Sequence, residues 1–101
     1  MTMAFVQIIE FTTTRSDELG ELFNEWEADG QKSEVVGRLL LTADRDRPNT
    51  YLTIVEFESY EAAMANSARP STGEFAAKMM AMCDGEPVFR NLDVTTQWPS
   101  T

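Results

Sequence analysis

Histidine is missing from this 101-residue sequence, and cysteine occurs once, as Cys83. Without an imidazole there is no histidine general base, no Ser-His or Cys-His nucleophile pair and no histidine-containing metal set. A single thiol excludes an intrachain disulfide. Beside Met79, Met80 and Met82 it reads as helix packing rather than a reactive group. Cations are scarce: 8 Lys plus Arg stand against 17 Asp plus Glu, for a net charge of −9 and a pI near 4.3. With no basic run, neither nucleic acid nor a membrane surface is an expected partner, since both attractions need clustered cations. The apolar runs are too short to cross a bilayer. Met1–Ala4 lacks the basic region and long apolar core of a secretory signal, so the expected location is cytoplasmic.

Further absences narrow the chemistry. There is no glycine-rich phosphate loop and no dinucleotide fingerprint. Asp44-x-Asp46 falls short of a calcium loop, which needs more ligands, a turn glycine and a distal glutamate; Pro48 and Val55 do not supply them. No metal or cofactor is expected. The length suits one domain over residues 1–101, with a short tail at 97–101. Folding at this size buries roughly 65% of the unfolded chain's surface, enough for a core but not for a large enclosed active site.

What is present is a clear alternation of periods. Ala4–Phe11, rich in β-branched and aromatic residues, reads as a strand. Ser16–Asp29 reads as a helix, because Leu19, Leu22, Phe23 and Trp26 form one apolar stripe. Thr14 and Ser16 are both candidate caps, and Gly30 can stop the helix. Val35–Ala43 and Tyr51–Phe57 form an antiparallel hairpin across the turn-rich Asp44–Asn49. Ser59 can cap a helix over Tyr60–Ala68 that Pro70 interrupts. Ser71-Thr72-Gly73-Glu74 has capping-box spacing and restarts a helix carrying Phe75, Met79, Met80 and Cys83. Gly85 and Pro87 mark its exit, and Val88–Thr96 supplies the last strand. The order is βαββαβ, an α+β, ferredoxin-like arrangement: four antiparallel strands with helices on one face.

Helices on one face leave the other to be covered. Phe5, Gln7, Ile9 and Phe11 alternate with Val6 and Ile8. Tyr51, Thr53, Val55 and Phe57 alternate with Leu52 and Ile54, and Phe89, Asn91, Asp93 and Thr95 with Leu92 and Val94. The aliphatic sets are expected against the helices. The mixed sets, with their amides and hydroxyls, are expected in a second buried layer against another copy of the chain across a two-fold axis.

The chain resembles the antibiotic-biosynthesis-monooxygenase-like group of dimeric α/β barrels over residues 4–96. The stretch Tyr51–Ala77, YLTIVEFESYEAAMANSARPSTGEFAA, carries the likeness: a strand with an acidic-aromatic step runs into Ser-x-Glu-Ala and a short helix. The resemblance implies a homodimer of two four-stranded sheets with one ligand cavity per subunit. Asn66 and, approximately, Ser71 stand where members of the group commonly carry histidine. Haem-degrading members depend on a histidine ligand, so that branch is disfavoured here; Cys83 and Met79 are more simply packing residues.

Gln7 leads the candidate residues. An amide in an apolar central strand needs partners, and it can orient a phenol, quinone or carbonyl; a neighbouring strand could equally satisfy it. Asn66 and Tyr51 complete the catalytic candidates. Trp26 could stack on an aromatic ligand at the pocket wall, although core packing is its simpler role. Arg38 and Arg90 interrupt apolar strands and need partners, for which Glu10, Glu56 and Asp93 are available; either could instead bind a ligand carboxylate or phenolate. Asn91 and Asp93 are further ligand-facing candidates, and Asp93 could serve as a base if buried near substrate. Trp98 is expected to pin the tail against a partner subunit.

The leading expectation is a cofactor-independent monooxygenase acting on a small electron-rich aromatic such as a phenol or hydroquinone. In such an enzyme the substrate anion itself reduces oxygen, and neutral donors hold the oxyanion. The alternatives are a dimeric binding protein for a small hydrophobic ligand, and an isomerase or cyclase.

Overall fold

A computed structural model describes residues 4–28 and 36–99. The elements run β1 (Phe5–Thr12), α1 (Ser16–Ala28), β2 (Val36–Ala43), β3 (Thr50–Phe57), α2 (Tyr60–Ser67), α3 (Pro70–Ala81) and β4 (Val88–Asp93). The strands form one antiparallel sheet in the order β2-β3-β1-β4, with all three helices packed on one face. The expected βαββαβ, ferredoxin-like arrangement is therefore present, its second helical region divided in two.

Local chemistry explains most element ends. Ser59 caps α2, its side-chain oxygen accepting from the Ala62 N–H at 3.0 Å. The first turn of α1 closes on Arg15, whose carbonyl accepts from the Leu19 N–H at 3.0 Å. Arg15 thus stands where Thr14 or Ser16 was expected, and its own N–H donates to the Thr13 hydroxyl. α3 opens on Pro70 with Arg69 before it, one residue ahead of the expected Ser71 start. Proline is well suited to the first helical position, where its missing N–H costs nothing, and this displaces the capping box. β4 ends at Asp93 rather than Thr96, and Val94 N–H closes the edge by donating to the Ala4 carbonyl. In the β2–β3 connection, Asn49 takes a positive φ of 58°, which asparagine tolerates better than most residues. Val35, Asp29 and Gly30 lie outside the described residues.

The strand registers reverse one expectation. Phe5 pairs with Phe57, Gln7 with Val55, Ile9 with Thr53 and Phe11 with Tyr51, so these residues share a face. That face, not the aliphatic one, lies under the helices. Phe5, Val55 and Phe57 pack with Ala63 of α2, while Phe11 packs with Leu19 and Leu22 of α1 and Met79 of α3. The mixed set is the inner layer because its aromatic rings fill the space between sheet and helices. The aliphatic residues Val6, Ile8, Leu52 and Ile54 are left half-buried on the open face, and Leu40 and Leu92 are exposed there.

All the charged strand residues share the open face except Asp93, which ends β4 opposite Phe5 and is exposed there. Glu56 lies opposite Val6 and Arg90 opposite Ile8, and Glu10 opposite Leu52. Arg38 Nη2 meets Glu56 Oε2 at 2.7 Å, and Glu10 Oε1 lies 3.2 Å from Arg47 and 3.6 Å from Arg90. Placing them under the helices would have removed four charges from water at a cost that pairing repays only with good geometry. Their parity along the strands was the available sequence signal for which face stays open.

Candidate functional site

Between the sheet and its helices lies a cavity of about 210 Å³. An apolar cavity of about 150 Å³ already holds a benzene ring, so this one suits a ligand of one or two rings. Its floor is the inner sheet face: Gln7 and Ile9 of β1, Leu39 of β2, Thr53, Val55 and Phe57 of β3, and Phe89 of β4. Overhead, α1 and α3 meet through aromatic contacts. Phe23 and Phe75 cross edge to face at a centroid distance of 5.1 Å, and Trp26 tilts against Phe75 at 5.8 Å. Such pairs hold both helices while presenting flat apolar walls. Met80 and Phe89 line the cavity while staying 49% and 51% exposed, so it opens to solvent between α3 and the β4 edge. Met80, carried by the same helix as the buried Met79, stands at this mouth.

Polar groups enter the cavity at three places. On the floor, Gln7 Nε2 donates to Asn91 Oδ1 at 3.0 Å, across the β1–β4 pair that the register sets opposite each other. This bond leaves the Gln7 carbonyl oxygen as an acceptor. Near the floor's centre, the Thr53 hydroxyl is buried without a hydrogen-bond partner. At the junction of α2 and α3, Asn66, Ser67 and Thr72 supply an amide and two hydroxyls. Thr72 and Gly73 belong to the first turn of α3, whose aligned peptide dipoles put partial positive charge at that end. Among the described residues, none of the side chains lining the cavity is ionisable.

The expected site residues therefore divide. Gln7, Asn66 and Trp26 meet around the cavity, and Asn91 reaches it through Gln7. Tyr51 stands away from it, stacked on Phe11 at 6.0 Å in the second core cluster. Arg38 and Arg90 lie on the open face in their ion pairs with Glu56 and Glu10. Asp93 ends β4 exposed, opposite Phe5. Thr53 and Thr72 were not singled out in the sequence. A threonine in a strand is ordinary by composition, and only the register and helix packing distinguish Thr53.

The ionisable groups with shifted titration stand outside the cavity. Burial, and secondarily the neighbouring Asp84, pushes the Cys83 thiol up. Its Sγ donates to the Met79 carbonyl at 3.2 Å, which fits a packing role. Asp44 is held below the ordinary carboxylate range, first by the Asp46 N–H and then by Arg47. These bonds, at 2.9 and 2.8 Å, tie the β2–β3 turn together and occupy both carboxylate oxygens.

A four-stranded antiparallel sheet with helices over one face and a small, mostly apolar cavity beneath them defines the class: a ferredoxin-like α+β ligand-cavity fold. Solved structures make the class more specific. A variant of SnoaB, a cofactor-independent oxygenase from Streptomyces nogalater, superposes with a TM-score of 0.81 at 18% identity, covering 97% of this chain and 99% of that one. An antibiotic biosynthesis monooxygenase matches at a TM-score of 0.71 and 14% identity, over 88% of this chain and 96% of that one. Rv0793 from Mycobacterium tuberculosis matches at 0.75 and 11%, over 93% and 97%. The chain thus has the fold of the antibiotic biosynthesis monooxygenases. The sequence itself matches no protein-family model and no curated protein.

Proposed function

We propose that this chain is a cofactor-independent monooxygenase for a small electron-rich aromatic substrate of the phenol or hydroquinone kind. The observation that carries the reading is the cavity: aromatic walls, neutral hydrogen-bonding groups and no ionisable side chain among its described residues. Such a site has little acid–base power of its own, so the chemistry must come from the substrate. An ionised phenol or hydroquinone is electron-rich enough to reduce oxygen directly. The substrate enters as its anion, its phenolic proton left in solvent. One oxygen atom becomes bonded to substrate carbon. The other leaves as water by taking up that proton and the displaced ring hydrogen, and the substrate supplies the electrons.

The protein's part is positioning and electrostatics. Gln7 and Asn91 orient a substrate oxygen at the floor. Asn66 and Thr72 offer donors at the α2–α3 junction, where the helix end favours the anionic form of the substrate. Phe23, Trp26 and Phe75 hold the ring and keep water away from the reacting carbon. The fold shared with SnoaB, itself named a cofactor-independent oxygenase, supports the same reading. An isomerase or cyclase draws less support, because it must take a proton from carbon and return one within the site, whereas a phenol can lose its more acidic proton to solvent.

The same absence of ionisable groups also favours a second reading, a binding protein that holds a small hydrophobic ligand without transforming it. In either case the open face, with Val6, Ile8, Leu40, Leu52, Ile54 and Leu92, is the surface on which a second copy packs to form a homodimer. This is the face opposite to the one expected from the sequence.

Oxygen uptake with a panel of phenols, hydroquinones and anthrone-like compounds tests the enzyme reading. Turnover is expected with at least one of them, and Gln7→Ala should lower it roughly tenfold or more while leaving the oligomeric state unchanged. Aromatics that bind the cavity yet consume no oxygen would rule out the oxygenase and leave the binding protein.

A further inference from the structure

The Thr12, Thr13, Thr42 and Thr50 hydroxyls all donate to backbone oxygens, whereas that of Thr53 is buried with no partner among the described residues. Thr42 Oγ1 donates to the Leu52 carbonyl at 2.7 Å, Thr12 Oγ1 to the Asp84 carbonyl at 2.6 Å, and Thr50 Oγ1 to the Pro48 carbonyl at 3.3 Å. Thr53 is only 1% exposed, and its hydroxyl has no partner among the described residues. It sits on an interior strand, opposite Ile9 of β1 and Leu41 of β2. Its side chain forms part of the cavity floor. Valine would fill the same space with no polar atom to satisfy, so an unpaired hydroxyl here destabilises the empty protein relative to that alternative. A hydroxyl can donate and accept, and a ligand oxygen is the group this position lacks.

We infer that Thr53 is a specificity-determining residue: its hydroxyl, at the cavity floor, binds a ring oxygen substituent, a hydroxyl or carbonyl. The inference rests on the proposed aromatic-ligand cavity and names the feature by which that cavity distinguishes its ligands. Gln7 lies one pair along from the Ile9–Thr53 pair, so the two polar groups are diagonal neighbours on the same sheet face, with Cα atoms about 7–8 Å apart. Thr53 and Gln7 therefore engage different parts of a ring ligand. Hydrocarbons of the same shape gain nothing from either group. A site built to bond a substrate oxygen discriminates strongly against analogues that lack it.

The test uses toluene and p-cresol, which differ by one hydroxyl, with dissociation constants from chemical-shift titration of the full chain. Thr53→Val should weaken p-cresol by about two- to tenfold, the range of one neutral hydrogen bond, and leave toluene unchanged or slightly tighter. Thr53→Ser, which keeps the hydroxyl, should retain the preference for p-cresol. Loss of general packing would weaken both ligands together, so the ratio of the two constants is the readout. If both probes bind and Thr53→Val leaves that ratio unchanged, the hydroxyl has no ligand role and the inference falls while the cavity reading stands. If neither probe binds the unmodified chain, the proposed cavity function is overturned and the inference with it.

Discussion

Phe57→Ala and Ile54→Ala measure the two faces of β3 in one experiment. Phe57 is buried beneath the helices, with the Phe5 ring centroid 6.3 Å away and Ala63 of α2 in the same cluster. Removing its ring strips the packing against Phe5 and Ala63 and enlarges the cavity beneath the helices, a change that costs about 3–5 kcal/mol. Ile54 faces the other way, opposite Ile8 and Leu40, and is half-buried in the isolated chain. Its truncation opens onto solvent and leaves no void, so only part of the transfer energy is lost, about 1–2 kcal/mol. For a domain of this size each kcal/mol lowers the melting midpoint by roughly 4–8 °C. Phe57→Ala should therefore fall by at least about 12 °C at low protein concentration, and Ile54→Ala by much less. Raising the concentration separates them further. Association stabilises the native chain by mass action, so the midpoint of the unmodified protein should climb with concentration. The Phe57 variant should keep that slope, whereas the Ile54 variant should lose much of it. Equal losses at low concentration would refute the assignment of faces, and a midpoint independent of concentration in the unmodified protein would refute the homodimer.

Two titratable groups give independent checks on local geometry. Because the folded pKa of Asp44 lies below its unfolded value, its stabilising contribution is complete above the unfolded value. That contribution disappears as the pH falls through the folded value; Asp44→Asn should flatten the acid limb of a urea-midpoint profile, and an unchanged limb would contradict the turn bonds to Asp46 and Arg47. Burial raises the Cys83 pKa, so less thiolate is present at mildly alkaline pH. Iodoacetamide should alkylate the folded chain several-fold more slowly than the same chain in urea, and equal rates would mean that the Met79 contact does not protect the sulfur.

Much of the fold was legible because its signals are local. The Leu19, Leu22, Phe23 and Trp26 stripe places α1, and Ser59 announces α2. The charged, proline-containing turn at Asp44–Asn49 joins β2 to β3. Gln7 and Asn66 were legible as candidates because an amide in an apolar setting needs a partner. Tyr51, Arg38 and Arg90 were equally reasonable by residue type, but each meets a partner away from the cavity: the Phe11 ring, Glu56 and Glu10.

The order of elements, the absence of histidine chemistry and the apolar character of both sheet faces follow from the sequence by itself, since periodicity and composition need no distant contact. Which face the helices cover did not follow from the apolar pattern. Phe5, Val55 and Phe57 alternate with Val6, Ile54 and Ile8, and hydrophobicity alone ranks the two sets too closely to choose. Only packing decided it: the aromatic set fills the gap beneath three helices, while the strand charges remain where water can reach them. That choice turns an ordinary strand threonine into a buried, unpartnered hydroxyl at the floor of a cavity.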